Sequence, residues 1–148
     1  MAAPASNAFA MIVSAKPLSA NRGRPSPTFT NIIRSAALAY GARILTGLLY
    51  VRIIWFQHER TDGDVDNMAK WILDSLKGVV FQDDDDVVRC LTQKTVADAT
   101  GEYLYHRHLI PSETVRVDLP ALLGGEPHVL YIEVDIVADP TVSFGPVI

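Results

Sequence analysis

Apolar and polar positions alternate along this 148-residue chain in ways that mark out its elements. Within Arg43–His58, Leu49, Val51, Ile53, Trp55 and Gln57 alternate with Tyr50, Arg52, Ile54, Phe56 and His58. A period of two predicts a strand. Two largely apolar faces predict a central strand, or one at a dimer contact. Ala8–Ala15, β-prone at Met11-Ile12-Val13, predicts a first strand, and Val129–Val137 a last one. Ile33, Ala36, Ala37 and Tyr40 recur at helical spacing. They predict a helix from a cap at Thr28 or Thr30 to about Tyr40, stopped by Gly41, with Arg34 exposed.

A second helix is predicted from Asp66 to Lys77. Steps of 100° put Asp66, Asn67, Lys70, Asp74 and Lys77 on one face, while Met68, Ala69, Trp71, Ile72, Leu73, Ser75 and Leu76 fill the rest. Asp64 or Asp66 can cap its start, and Gly78 follows its end. Val79-Val80-Phe81 reads as a short strand, Asp83–Asp86 as a turn, and Val87–Val96 as a returning strand. Such a hairpin would carry the four aspartates back towards the helix start. Further on, Glu102–Ile110 reads as a strand, Val115–Leu119 as a short extended piece, and Gly124-Gly125 as part of a loop. The sum is an α+β fold: a mixed β-sheet with two packed helices in a single domain spanning 1–148, with tails at about 1–7 and 140–148.

The stretch Asp62–Val88 concentrates the candidate chemistry. Asp64 and Asp66 begin the helix, Lys70 lies one turn on, and Asp83–Asp86 follow it. Hard cations take oxygen ligands, usually one or two carboxylates with water and substrate phosphate. A lysine beside them meets phosphate as a point charge. The bland alternatives are capping for Asp64 and Asp66 and a solvated turn for Asp83–Asp86. A calcium-binding EF-hand from Asp62 is excluded, because Asn67 stands where glycine belongs and Leu73 where the bidentate glutamate belongs. His106 and His108 would share one strand face, but no third ligand accompanies them.

Composition narrows the classes. Ile44–Phe56 is the most apolar run, yet Arg52 interrupts it and it is too short to span a bilayer. The first fifteen residues lack a basic n-region, so no signal peptide is expected. A single cysteine, Cys90, excludes an intramolecular disulfide, fits a cytoplasmic setting and is expected to be packed. The net charge of −4 runs against the basic footprint of nucleic-acid binders. It is uneven: through Asp74 there are eight Lys/Arg and five Asp/Glu, and from Ser75 five and twelve. DNA would therefore meet the N-terminal half. The loop Lys16–Pro27 is either a solvated turn or a phosphate-contacting arm, with Asn21, Arg22 and Arg24 the leading candidates.

Asp64, Asp66, Asn67, Lys70, Asp74, Leu76, Gly78, Asp83, Asp84, Val87 and Val88 together resemble the RusA family of Holliday junction resolvases. Pro17-Leu18-Ser19-Ala20-Asn21-Arg22 is similar to that family's early P-P-S-x-N-x segment, and Lys94 matches a lysine often found there. The resemblance covers roughly Ile12 to Val96 and, more weakly, the last strand. It implies metal-binding catalytic carboxylates at Asp64, Asp66 and Asp84, supported by Asp83, with Lys70 as the catalytic lysine. It further implies DNA contact at Lys94, use of Mg²⁺ or Mn²⁺, a symmetric homodimer, and cleavage of two strands of a four-way junction. Asp85 and Asp86 extend the usual pair, leaving open which adjacent acids face the metal. A fold relative that binds branched DNA or metal without cutting is the alternative. A nucleotide phosphohydrolase is a third class, without a Gly-rich phosphate loop to support it.

Overall fold

The computed structural model describes residues 8–17 and 27–146. Four strands form one sheet: β1 (Phe9–Ser14), β2 (Leu49–Gln57), β3 (Val87–Val96) and β4 (His128–Ile136). Their spatial order is β1-β4-β2-β3. β4 runs antiparallel to both β1 and β2, whereas β3 runs parallel to β2, so the sheet is mixed. The interior strands β2 and β4 carry apolar side chains on both faces, and each face is covered.

Helices α1 (Pro27–Ala39) and α2 (Val65–Leu76) cover one face. Phe29, Ile33 and Ala37 from α1 and Met68, Trp71, Ile72 and Leu76 from α2 meet Leu49, Val51, Ile53, Trp55, Leu130, Ile132 and Val134. The spacing that predicted both helices is the spacing that buries them. Gly41 ends the first helix region with a φ of +80° and Gly78 follows the second with +79°, conformations glycine adopts without steric penalty. Arg34 departs from its expected exposure. It is half-buried, and its guanidinium donates to the carbonyls of Ser75 (3.3 Å) and Lys77 (3.0 Å), capping the α2 C-terminus.

The other face is covered by α3 (Glu113–Gly125), a third helix where an extended piece and a loop were expected. Val115, Leu119 and Leu123 lie four apart and pack on Ala10, Ile12, Val129 and Tyr131. Ser112 caps the start by accepting from the Val115 N–H at 3.3 Å. Pro120 lies inside this helix and cannot donate to the carbonyl of Arg116. The Arg107 Nε–H takes that carbonyl at 2.7 Å, so the vacancy in the ladder is filled from outside.

Two expected strands are absent. Val79-Val80-Phe81 forms a buried turn with only an isolated bridge between Lys77 and Phe81. Its apolar residues fill the space under α2 instead of pairing, so there is no hairpin; β3 pairs with β2 through a parallel crossover. Glu102–Ile110 is irregular apart from one 3-10 turn at Arg107–Leu109. Tyr103 and Tyr105 set their rings edge-on to Phe56, using their alternation for packing rather than for a ladder. Among the described residues, no helix is long and apolar enough to cross a membrane.

Candidate active site

At the start of α2 the chain leaves Gln57 and reaches Asp64 through a six-residue loop. Asp64 occupies the N-cap position with extended backbone, φ −90° and ψ 137°, and its carbonyl accepts from the Met68 N–H at 3.1 Å. Its carboxylate makes no capping bond; among the described residues the Asn67 amide approaches one oxygen, at 3.3 Å. An exposed carboxylate therefore stands at the positive end of a helix with its lone pairs largely free. Asp66 lies in the first turn and Lys70 one turn on, both exposed.

The loop before Asp64 is gripped at three points. The Gln57 side-chain oxygen accepts from the Thr61 N–H at 2.8 Å. Lys94 Nζ donates to the Gly63 carbonyl at 2.7 Å. Gly63, at φ +148°, sits so close to the Trp55 indole that a Cβ would fall 2.9 Å from Cζ3. Nothing in the sequence pattern singles out Gln57 or Gly63, because these contacts exist only after β2 and the loop have folded together.

At the other end of α2, Asp83 caps a 3-10 turn at Asp84–Asp86. Asp83, Asp84 and Asp85 can each turn one oxygen to within 4.8 Å of the others. Lys77 Nζ lies 3.6 Å from Asp84 and 3.9 Å from Asp83. The hydrogen bond between the two carboxyls, together with the Asp85 N–H, holds Asp83 below the usual carboxylate range. The same bond pushes Asp84 up, and the neighbouring charges of Asp83 and Asp85 oppose Lys77 there. Asp84 thus keeps its proton longer than an ordinary aspartate and shares it with Asp83.

The two clusters do not meet within one chain. The twelve residues of α2 separate them by roughly 18 Å along the helix axis. β3 repeats the separation, since its first residue follows Asp86 and pairs with Leu49, while Lys94, near its other end, reaches Gly63. Asn21, Arg22 and Arg24 lie outside the described residues. His106 and His108 approach each other with ring centroids 5.8 Å apart, without a third ligand-type side chain gathered around them among the described residues. Cys90, expected to be packed, is exposed on β3, the edge strand of the sheet.

Residues 31–103 match the family model described as Endodeoxyribonuclease RusA. That match places the segment 31–103 in the RusA family. It runs from within α1 to just beyond β3, so it contains all of β2, α2 and β3 and every acid of both clusters. The RusA family is by that description one of endodeoxyribonucleases, and the mixed sheet with packed helices is its α+β architecture here. No curated protein matches the chain.

Proposed function

We propose that this chain is a Mg²⁺-dependent endodeoxyribonuclease that resolves four-way DNA junctions by paired cuts. The observation that carries the reading is the coincidence of the family match with the unit that bears Asp64, Asp66, Lys70, Asp83, Asp84 and Lys94. The donor set suits a hard divalent cation: carboxylate oxygens, no thiolate, and at Asp83–Asp85 three oxygens able to converge. A bound divalent ion supplies a water of lowered pKa and neutralises phosphate charge. Asp64 and Asp66 would hold it at the start of α2, with Asp84 completing the set and Asp83 supporting it. Lys70 would sit against the scissile phosphate and stabilise the charge that builds there. Lys94 spends one donor on Gly63 and has two more for a neighbouring phosphate.

The distance between the clusters bears directly on this reading. One ion cannot touch Asp64 and Asp84 of the same chain across the length of α2. A symmetric homodimer with α2 and β3 antiparallel to their copies would bring Asp83–Asp85 of one protomer beside Asp64 and Asp66 of the other, twice over. Two such centres would suit paired cuts on a symmetric junction. The test compares a synthetic four-way junction with linear duplex of the same sequence, in Mg²⁺ and in chelator. Paired, metal-dependent nicks confined to the junction are expected; no nicks in any metal would sink the reading. The net charge of −4 favours a second reading, a branched-DNA or metal binder that does not cut. Salt-sensitive junction binding without cleavage would be its signature.

A further inference from the structure

We infer that His128, acting through the indole of Trp55, is a positioning residue for the loop that seats Asp64. The inference rests on reading Asp64 as a site residue, but its geometry is independent of that reading.

His128 opens β4 and stands directly across from Gln57, the last residue of β2. The Trp55 Nε1–H donates to His128 Nδ1 at 3.2 Å, with the rings tilted at 43°. An indole nitrogen only donates, so Nδ1 must be the bare nitrogen and the imidazole proton must sit on Nε2. Burial, with Lys16 nearby, lowers the His128 pKa, which favours the neutral ring that this bond requires. Trp55 itself is fully buried.

The opposite edge of the same indole, Cζ3 and Cη2, fills the space where Gly63 would carry a side chain. An indole is rigid, so fixing its nitrogen edge fixes its benzene edge. A turn of the ring about its side-chain torsions would press on Gly63 or leave it unsupported. Gly63 immediately precedes Asp64, and its carbonyl is already held by Lys94. Gln57, beside His128 on β4, holds Thr61 of the same loop. The first residue of β4 is thereby linked to a carboxylate it never touches, through one ring and one glycine. The bland account is that His128 only satisfies a buried donor, in which case its loss would loosen the sheet as a whole and not the loop in particular.

Hydrogen exchange on the full chain separates the two. His128→Phe removes the acceptor; His128→Asn offers a side-chain oxygen to the indole N–H. The Thr61 amide, which Gln57 holds, should exchange roughly fivefold faster in His128→Phe, the effect of losing about one hydrogen bond. β4 and the last turn of α2 should keep their protection, and His128→Asn should restore most of the loop's. An unchanged loop, an even acceleration across the sheet, or no rescue by asparagine overturns the inference. His128→Ala replaces the phenylalanine variant should that one not fold. On the same proteins the Mg²⁺ concentration for half-maximal junction cleavage should rise severalfold in His128→Phe and return in His128→Asn. A wild type that cuts nothing would defeat the proposed function while the exchange pattern still decides the positioning.

Discussion

The two ends of α2 solve the problem of placing carboxylates in opposite ways. At the start, Asp64 and Asp66 are exposed, but the loop that delivers them is clamped to the core by Gln57, Trp55 and Lys94. Rigidity comes from neighbours, and the carboxylates make few bonds of their own. At the far end, Asp83–Asp85 crowd together on a short turn, restrained mostly by one another and by Lys77. There the acids are near enough for a cation to matter, and Lys77 offsets only part of their repulsion. A firmly held end with spare ligand capacity and a crowded end with spare negative charge are complementary. That complementarity is the physical argument for the proposed symmetric, antiparallel pairing of two copies.

Three measurements would break or sharpen this contrast. The largest effect is expected from the acids themselves. Asp66→Asn and Asp84→Asn should each reduce junction cleavage by about a hundredfold or more with folding intact. If each centre draws acids from both protomers, mixing the two dead variants should restore about a quarter of the sites, read as single nicks rather than paired cuts. No recovery on mixing would mean that the ends of α2 act separately. Next come the two glycines. Gly63→Ala meets both a positive φ and the buried indole, and should cost about 3 kcal/mol or more in urea unfolding. Gly78→Ala, with open space around its Cβ, should cost only about 1 kcal/mol. Equal costs would show that Trp55 does not clamp the loop. The smallest effect concerns pH. Because Asp84 is shifted up, Mn²⁺ affinity measured by calorimetry should rise as pH climbs through and above the ordinary carboxylate range, then level off. Lys77→Ala removes the cation that lowers both carboxyls, and should move that rise to higher pH.

What could be read from the sequence follows the range of the forces involved. α2 was legible because its polar face, its N-cap position and Gly78 are all local signals. β2 was legible from its alternation, though it begins at Leu49 rather than Arg43, where no partner strand extends to meet it. α3 was hidden by Pro120 and Gly124-Gly125, since the compensation for Pro120 comes from Arg107, outside the helix. The expected hairpin failed for a related reason. Val79–Phe81 has strand-like composition, but it is buried in the core beneath α2 instead of pairing. With the hairpin went the idea that the aspartate turn folds back to Asp64. Composition gathers the acids into one stretch of chain; the parallel crossover of β2, α2 and β3 then sets them at opposite poles.

The order of the strands also sets an order in time. β4 lies between β1 and β2 yet is the last of the four to be synthesised. Until it arrives, β1 has no strand to pair with, and β2 and β3 form a two-stranded parallel pair with one helix-covered face. Parallel pairs joined across long loops close slowly and expose apolar edges while they wait. A nascent chain halted before His128 would contain the whole family-matched segment 31–103 and still lack the strand that joins its two halves. Such a chain exposes apolar strand edges, the kind of surface that chaperones and proteases recognise.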